Sequence, residues 1–386
     1  DVYQIKSVFV PSEIFNPWGN LIFPINGVNA YEVGNSIGNK NLKPEISSEW
    51  EVGADLRFFN SRLNIDIAYY NKYTTDQIYS VPLANSTGYT VQTMNIGEIS
   101  NKGIELMVSI IPIQKNNFDW KLSTTFTRNV NKVEKLKEGL PEVTLASAYD
   151  IQFVAMEGYP LGVFKGPVPE TTPDGRIVVG TDGMPIIKTD KGIYGDAQNK
   201  YVLGITNAFR YKSLSFGFSF DIRKGGLIYS GTSDLHYFVG NATKTLYNDR
   251  TPFIIPNSVL GKQNPNDGTW TYSENDVVID MNNINAYYYH TKNKLGNRDR
   301  VFDRSYVKLR DMYISYSLPK KYLFNLPVEK VELSAYGKNL LVWTPEENNF
   351  IDPEVTSWGN DLAGDFGEFR TNPTTRSYGV SLKVVF

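Results

Sequence analysis

A strict alternation of apolar and polar residues recurs along this 386-residue chain and limits its fold more than any other feature. From Glu49 to Phe59, Trp50, Val52, Ala54, Leu56 and Phe58 alternate with Glu49, Glu51, Gly53, Asp55 and Arg57. Successive side chains of a β-strand point to opposite faces, so this segment reads as a strand with one apolar and one charged face. Its length of about 11 residues suits a tilted crossing of a bilayer.

The pattern repeats. Leu63, Ile65, Ile67 and Tyr69 form one such face, Ile104, Leu106, Val108 and Ile110 a second, and Trp120, Leu122, Thr124 and Phe126 a third. Leu203, Ile205, Phe209 and Tyr211 form a less regular face, interrupted by Asn207. Leu214, Phe216, Phe218, Phe220 and Ile222 alternate with Ser215, Gly217, Ser219 and Asp221. Val331, Leu333 and Ala335 alternate with Glu332, Ser334 and Tyr336, and the last strand sets Tyr378, Val380, Leu382, Val384 and Phe386 against Gly379, Ser381, Lys383 and Val385. Between Tyr306 and Leu318 the alternation slips near Asp311, which predicts a β-bulge there. The reading gives nine strands.

The connections alternate between short and long. Short ones lie at Asn60-Ser61, Gln114 to Phe118, Lys212-Ser213 and Pro319 to Pro327. Long ones lie at 83–98, 137–200, 226–304 and 344–374. Outer-membrane barrels have short periplasmic turns and long extracellular loops, and this parity fits them. A soluble β-sandwich also alternates. Long strands, loops of about 60 residues or more and aromatics near strand ends weigh against it. The expected fold is therefore all-β, part of a large antiparallel transmembrane β-barrel. Trp50, Val52, Leu56, Phe58, Leu63, Ile65, Ile67, Phe216, Phe218, Phe220, Val380, Leu382 and Val384 are expected to face lipid, and Asp55, Asp66, Ser219 and Lys383 the lumen. Natural bacterial barrels of this kind are even-numbered, so nine strands predict a piece of a larger barrel.

Composition agrees. Aromatics make up 13% of residues, with 25 Tyr and 21 Phe. The formal net charge of -2 and the lack of a basic patch argue against nucleic acid. Cysteine is absent, which removes disulfides, thiolate metal sites and cysteine nucleophiles together. His236 and His290 have no partner at a metal or catalytic spacing and read as ordinary loop residues. No apolar run approaches the roughly 18 residues of a membrane-spanning helix. The N-terminal DVYQIKSVFV lacks the features of a signal peptide.

Several blocks resemble the C-terminal half of SusC/RagA-type TonB-dependent outer-membrane transporters. Gly38 to Ile78 is similar to the family's GN-x-x-L-x-x-E entry, N-x-R turn and YY strand. Asn95 to Leu106 is similar to its N-x-G-x-x-x-N-x-G-x-E block, and Glu157 to Gly166 to G-x-P-x-G-x-F/Y-x-G. Ser305 to Pro319 is similar to S-Y-x-R-L-x-N-x-x-L-G-Y-x-L-P. Tyr336 to Thr344, followed by Asp352 to Val355, is similar to G-x-N-L-x-x-W-T and D-P-E. The terminal Phe386 is like the C-terminal signal of most bacterial outer-membrane barrels. The blocks keep order and spacing over roughly 350 residues. The resemblance implies a barrel of roughly 22 strands, with a plug domain and N-terminal strands not present in this chain. It implies outer-membrane location, a SusD-type lipoprotein lid, a TonB complex reached through the missing N-terminal part, and import of oligosaccharides or oligopeptides. No cofactor is implied.

Enzymatic chemistry needs a converging site. The chain shows no nucleophile elbow, phosphate loop or metal-ligand spacing, and Glu49 and Glu51 read as lumen-facing wall residues, so an enzyme is not expected. Thr172-Pro173-Asp174-Gly175 and Thr181-Asp182-Gly183 lie where family members carry a calcium-like run, but the spacing departs from it, and Asp-Gly turns are the expectation. Aromatic faces suit sugar rings and peptide side chains alike. Trp270, Tyr272, Tyr287, Tyr288 and Tyr289 are therefore candidate solute contacts, with Trp18, Phe350 and Trp358 as weaker ones. Self-packing of these rings within their loops is the competing reading. Two other functions remain open: a structural or secretion-associated barrel component without its own solute, and a soluble glycan-binding module, which detergent dependence would separate.

Overall fold

The computed structural model describes residues 2–14, 20–280, 284–288, 293–323, 327–348, 350–359 and 363–386. Its main feature is one sheet of nine long strands in chain order, each antiparallel to the next. They are β1 (Ile46–Phe58), β2 (Leu63–Pro82), β3 (Val91–Lys115), β4 (Phe118–Leu136), β5 (Tyr201–Tyr211), β6 (Leu214–Lys224), β7 (Tyr306–Ser317), β8 (Lys330–Trp343) and β9 (Ser377–Val385). The two-residue segment Ser36–Ile37 adds a short parallel pairing to β3. All nine strands read from the alternation are present.

Directly paired residues of an antiparallel sheet share a face, so the register can be followed across the wall. One row runs Leu56, Ile65, Val108, Thr124, Ile205, Phe220, Leu309, Leu341. The neighbouring row, on the other face, runs Asp55, Asp66, Met107, Thr125, Gly204, Asp221, Lys308, Val342. The two sets expected to face lipid and lumen thus fall on opposite faces. The apolar face carries a string of rings: Trp120 on Phe209 at 5.8 Å, Phe209 to Phe218 at 6.2 Å, Phe218 to Phe220 at 5.8 Å and Phe220 to Trp343 at 6.4 Å. Asn207, the polar interruption on this face, accepts a hydrogen bond from the Trp120 indole at 3.1 Å, so its amide oxygen is satisfied without water.

The expected bulge is real and its extra residue is Arg310, one position earlier than the sequence suggested. Ser219 pairs Asp311 and Phe220 pairs Leu309. Strict alternation would turn one of these two charges to the apolar face. With the bulge, Arg310 reaches Asp221 at 2.6 Å and Asp311 accepts from Ser219 Oγ at 3.2 Å, both on the polar face.

Gly103, in the block Asn95 to Leu106, is placed by close approach. A Cβ on Gly103 would sit 2.3 Å from the Tyr70 ring, which lies across it and donates from its hydroxyl to Asn129 at 3.1 Å. Asn95 ties the β3 backbone to its surroundings, donating to the carbonyls of Lys43 at 2.9 Å and Asp76 at 2.7 Å.

The outer edge of β1 and the outer edge of β9 have no strand partner among the described residues, since β1 pairs β2 and β9 pairs β8. Phe9–Pro11 pairs Tyr31–Val33 instead. The wall is an open arc with two free edges.

The connections 59–62, 116–117, 212–213 and 318–329 lie at one end of the wall and 83–90, 137–200, 225–305 and 344–376 at the other, but length does not divide them cleanly, since 318–329 is longer than 83–90. The connection expected over 83–98 is only 83–90, because β3 starts at Val91 and takes Asn95 to Glu98 into the ladder. The remaining three long connections form a folded cap. Segments 142–148, 151–156, 163–166 and 192–196 form a four-stranded antiparallel sheet. Segments 177–179, 258–263 and 270–274 form a second sheet, and 227–230, 301–303 and 367–368 a third.

The apolar core of the chain lies in this cap. Ile96, Val133 and Leu136 at the upper ends of β3 and β4 pack with Val143, Ile151, Phe153, Phe164, Tyr229 and Phe366. Tyr229 and Phe366 stack in parallel at 5.1 Å, which locks the second long connection to the third. A smaller core joins Val179, Met184, Phe253, Ile255 and Ile279.

Candidate functional site

The cap brings together residues far apart in the chain. Helix α1 (Gly231–Phe238) starts at Ser230, whose hydroxyl accepts from Ser233 N at 2.9 Å as a side-chain cap. Its Asp234 and Tyr237 meet Arg300, which is fully buried. The Arg300 guanidinium donates to Asp234 Oδ1 at 3.1 Å, to the Tyr288 carbonyl at 3.0 Å and to the Gly296 carbonyl, and lies 4.5 Å over the Tyr237 ring. One side chain therefore fixes α1, the short helix α2 (Ile284–Tyr288) and the 294–300 turn around a cavity of about 420 Å³.

The candidate aromatics among the described residues fall in four places. Tyr287 and Tyr288 line that cavity, set edge to face at 5.0 Å, with Tyr287 also against Phe253 at 5.2 Å. Burial pushes the Tyr287 phenol up to about 12, so it stays protonated at physiological pH. Trp270 and Tyr272 sit on the second cap sheet with their rings stacked in parallel, 6.3 Å apart and 2° from parallel, and Tyr272 is exposed. Trp358 packs against Phe366 at 4.6 Å and Tyr229 at 6.3 Å, so it supports the core and self-packing describes it. Phe350 stacks on His236 at 5.0 Å, and His236 lies in α1 rather than in a loop. Trp18, Tyr289 and His290 lie outside the described residues.

The Asp-Gly pairs are turns. Asp174 pairs with Arg176 at 2.9 Å, and Asp182 accepts from Met184 N at 3.0 Å. Gly175 and Gly183 take the positive φ that such turns require, +86° and +74°. Among the described residues no group of three or more His, Cys, Asp or Glu is placed to hold a metal ion.

A feature the alternation did not reveal is an ionic latch between the wall and the last long connection. Lys308 is buried on the polar face of β7 and donates to Asp352 at 2.5 Å and to Glu354. Arg310 bridges Asp221 and Glu354, and the Tyr306 hydroxyl donates to Glu354 at 2.8 Å and to Asp221 at 3.1 Å. The block Ser305 to Pro319 and the block Asp352 to Val355 are thus two halves of one network. Burial alone would raise the Glu354 carboxyl. Hydrogen bonds from Arg310, Lys308 and Tyr306 outweigh that and hold it down at about 2. Burial likewise opposes ionisation of Asp352, and the bonds from Lys308 and Thr374 bring it below the usual carboxylate range.

A depressed carboxyl stabilises the folded form fully above its unfolded pKa, and that contribution is lost as pH falls through the folded value. For Glu354 the window runs from 4.5 down to about 2, and the contribution is on the order of 3 kcal/mol. A nitroxide attached in place of the exposed Glu346 should remain immobile at pH 6 and gain a mobile component as the pH falls below 4. A line shape constant over that range would show that the latch does not hold the segment.

Comparison with known proteins adds to this geometry. Residues 11–340 match the family described as "TonB dependent receptor-like, beta-barrel". The TonB-dependent receptor P3 of Formosa agariphila is 28% identical over 396 residues, covering 94% of this chain and 36% of the relative. The TonB-dependent receptor SusC of Bacteroides thetaiotaomicron is 29% identical over 208 residues, covering 50% of this chain and 20% of the relative. The solved structure titled "Structure of the RagAB peptide transporter" superposes with a TM-score of 0.65 at 17% identity, covering 98% of this chain and 38% of that one. The chain thus spans well under half the length of the proteins it is similar to.

Proposed function

The chain belongs to the TonB-dependent receptor-like β-barrel family, and on that premise we propose that it is the C-terminal arc of an outer-membrane transporter for oligosaccharides, with oligopeptides as the second solute class. In this reading the apolar face of β1–β9 meets the lipid bilayer and the polar face lines the lumen. The cap is extracellular and forms part of the solute cavity beneath a SusD-type lipoprotein. A plug domain, supplied by sequence outside this chain, couples release to the TonB complex.

The observation that carries the reading is the position of the stacked Trp270–Tyr272 pair and the tyrosine cavity on a folded cap, at the end of the wall opposite the two-residue turns at 116–117 and 212–213. Ring faces pack well on the C–H faces of sugars and hold them without charge. An enzyme is excluded by the family, since its members act as receptors and transporters.

Uptake of labelled oligosaccharides tests this in cells carrying the full-length protein. Trp270→Ala should weaken solute binding by roughly 2- to 10-fold, the range expected for one aromatic contact. Cells lacking the TonB complex should lose uptake altogether. Uptake unaffected by loss of that complex would remove the transport reading. A protein that moves no oligosaccharide or peptide would favour a structural or secretion-associated barrel component.

A further inference from the structure

The apolar face of the wall ends at a defined upper border. On β6 the positions on this face run Leu214, Phe216, Phe218, Phe220 and Ile222, and the next is Lys224. From Leu214 to Lys224 the strand extends about 33 Å, which rises about 25 Å at a tilt of roughly 40°, the height of a barrel's apolar band. On β4 Phe126 is followed on the same face by Arg128, and on β3 Ile104 gives way to Lys102. On β1 and β2 the border passes from Trp50 to Ser48 and from Tyr69 to Asn71. No carboxylate stands at these border positions, and Lys102, Arg128 and Lys224 put cations there.

The register groups these cations. Ile104 pairs Arg128, Lys102 pairs Val130, Thr127 pairs Val202 and Tyr201 pairs Lys224. Arg128 is therefore a diagonal neighbour of Lys102, and Lys224 lies two strands from Arg128, about 10 Å, with Tyr201 between. The side chains of all three are exposed and make no ion pair or hydrogen bond with the described residues. Glu134, which shares a depression with Lys102, is held by Lys132 at 2.8 Å and by Ser100 Oγ at 2.6 Å.

Rings accompany the border, as they do where barrel walls meet lipid headgroups. Trp50 lies 5.5 Å from Tyr69, and Phe126 stacks on Tyr201 at 5.8 Å. Where the cap meets the wall, a depression of about 700 Å³ is lined by Phe126, Tyr201, Arg128 and Lys200. Its carboxylates, Asp196 and Asp303, accept from Gln198 N at 2.9 Å and from Ser305 N at 2.7 Å.

Resting on the reading of β1–β9 as a bilayer wall, we infer that Lys102, Arg128 and Lys224 bind the phosphorylated headgroup of an outer-leaflet glycolipid. The acyl chains lie on the apolar band below, and the depression beside Arg128 takes headgroup sugar. Cations without a protein partner at this level attract anionic headgroups, each contributing about fivefold in affinity. The Arg128 guanidinium matches a phosphate with two parallel donors, and the lysines add point charges.

The test is native mass spectrometry of the full-length protein in detergent. The probes are monophosphoryl lipid A, its dephosphorylated form, phosphatidylglycerol and inorganic phosphate. Monophosphoryl lipid A should bind at least tenfold more tightly than the dephosphorylated form and fivefold more tightly than phosphatidylglycerol, with no retained inorganic phosphate. The triple variant Lys102→Gln, Arg128→Gln, Lys224→Gln should weaken lipid A binding on the order of 100-fold. The variant Lys72→Gln, Lys121→Gln, Lys383→Gln makes the same charge change on the other face and should bind like the parent. Equal losses in the two triple variants, or none in the first, overturn the headgroup site. Inorganic phosphate bound as tightly as lipid A would make it a free-phosphate site, and equal binding of phosphatidylglycerol would remove the glycolipid. If lipid A and its dephosphorylated form bind alike, the headgroup site falls while the bilayer wall stands. Binding of no lipid by the folded protein would bring down both.

Discussion

Arginine in place of Phe218 is expected to cost about 2–4 kcal/mol of barrel stability, the penalty for a cation on the lipid face near the bilayer midplane. Phe218 lies halfway along β6, and its row runs Phe58, Leu63, Ile110, Leu122, Asn207, Phe218, Met312. Its ring contacts Phe209, Phe216 and Phe220 at 5.7–6.2 Å, so the substitution also breaks the string of rings. Arginine at Ser219, the next residue, points to the polar face beside Asp311 and should be nearly neutral. Denaturant titration of the full-length protein refolded in vesicles separates the two. Equal losses for Phe218→Arg and Ser219→Arg would mean that the faces do not differ in environment.

The second large effect is expected at Arg300. Replacement by Met leaves the Asp234 carboxylate without its guanidinium and two buried carbonyls without their donor, a loss of roughly 3–5 kcal/mol for a broken buried pair. Because Arg300 joins α1, α2 and the 294–300 turn, the cap around the cavity should open while the wall stays intact. Limited proteolysis should then cut within 231–300 and spare β1–β9. Lysine should not restore protection, since its single ammonium cannot reproduce three separate donations and the stack on Tyr237. The double variant Arg300→Met with Asp234→Leu should recover part of the loss. Protection unchanged in Arg300→Met would remove Arg300 as the organiser of the cap.

These two positions mark what the sequence makes legible. The wall was readable because its information is local. Each strand carries its own alternation, and the slip near Asp311 lay one residue from the bulge at Arg310. Asn207 shows the limit of that reading: it breaks the apolar face until Trp120, on the neighbouring strand, is seen to satisfy it. The cap was not readable, because its cores are assembled from segments that have little periodicity of their own. Tyr229 and Phe366 meet across 137 residues, and Arg300 and Asp234 across 66. Trp358 read as a candidate solute contact and packs, partly buried, against that core for the same reason. The latch was half visible. The blocks around Lys308 and Asp352 stood out as family-like, but nothing local says that they touch.

The central claim is that β1–β9 form an arc of a transmembrane barrel with lipid on one face and an aqueous lumen on the other. This chain has no cysteine, so single cysteines can be placed on it one at a time. The decisive measurement is labelling of full-length protein in outer membranes, with cysteine at Phe216, Phe218, Val380 and Leu382 and then at Ser215, Ser219, Ser381 and Lys383. One reagent should be a membrane-soluble pyrene maleimide and the other a charged, water-soluble maleimide. The account predicts that the first set reacts with the membrane-soluble reagent and resists the charged one, with the opposite pattern in the second set. Equal reaction of both sets with the charged reagent would contradict it, because a sheet wet on both faces is not a barrel wall in a bilayer.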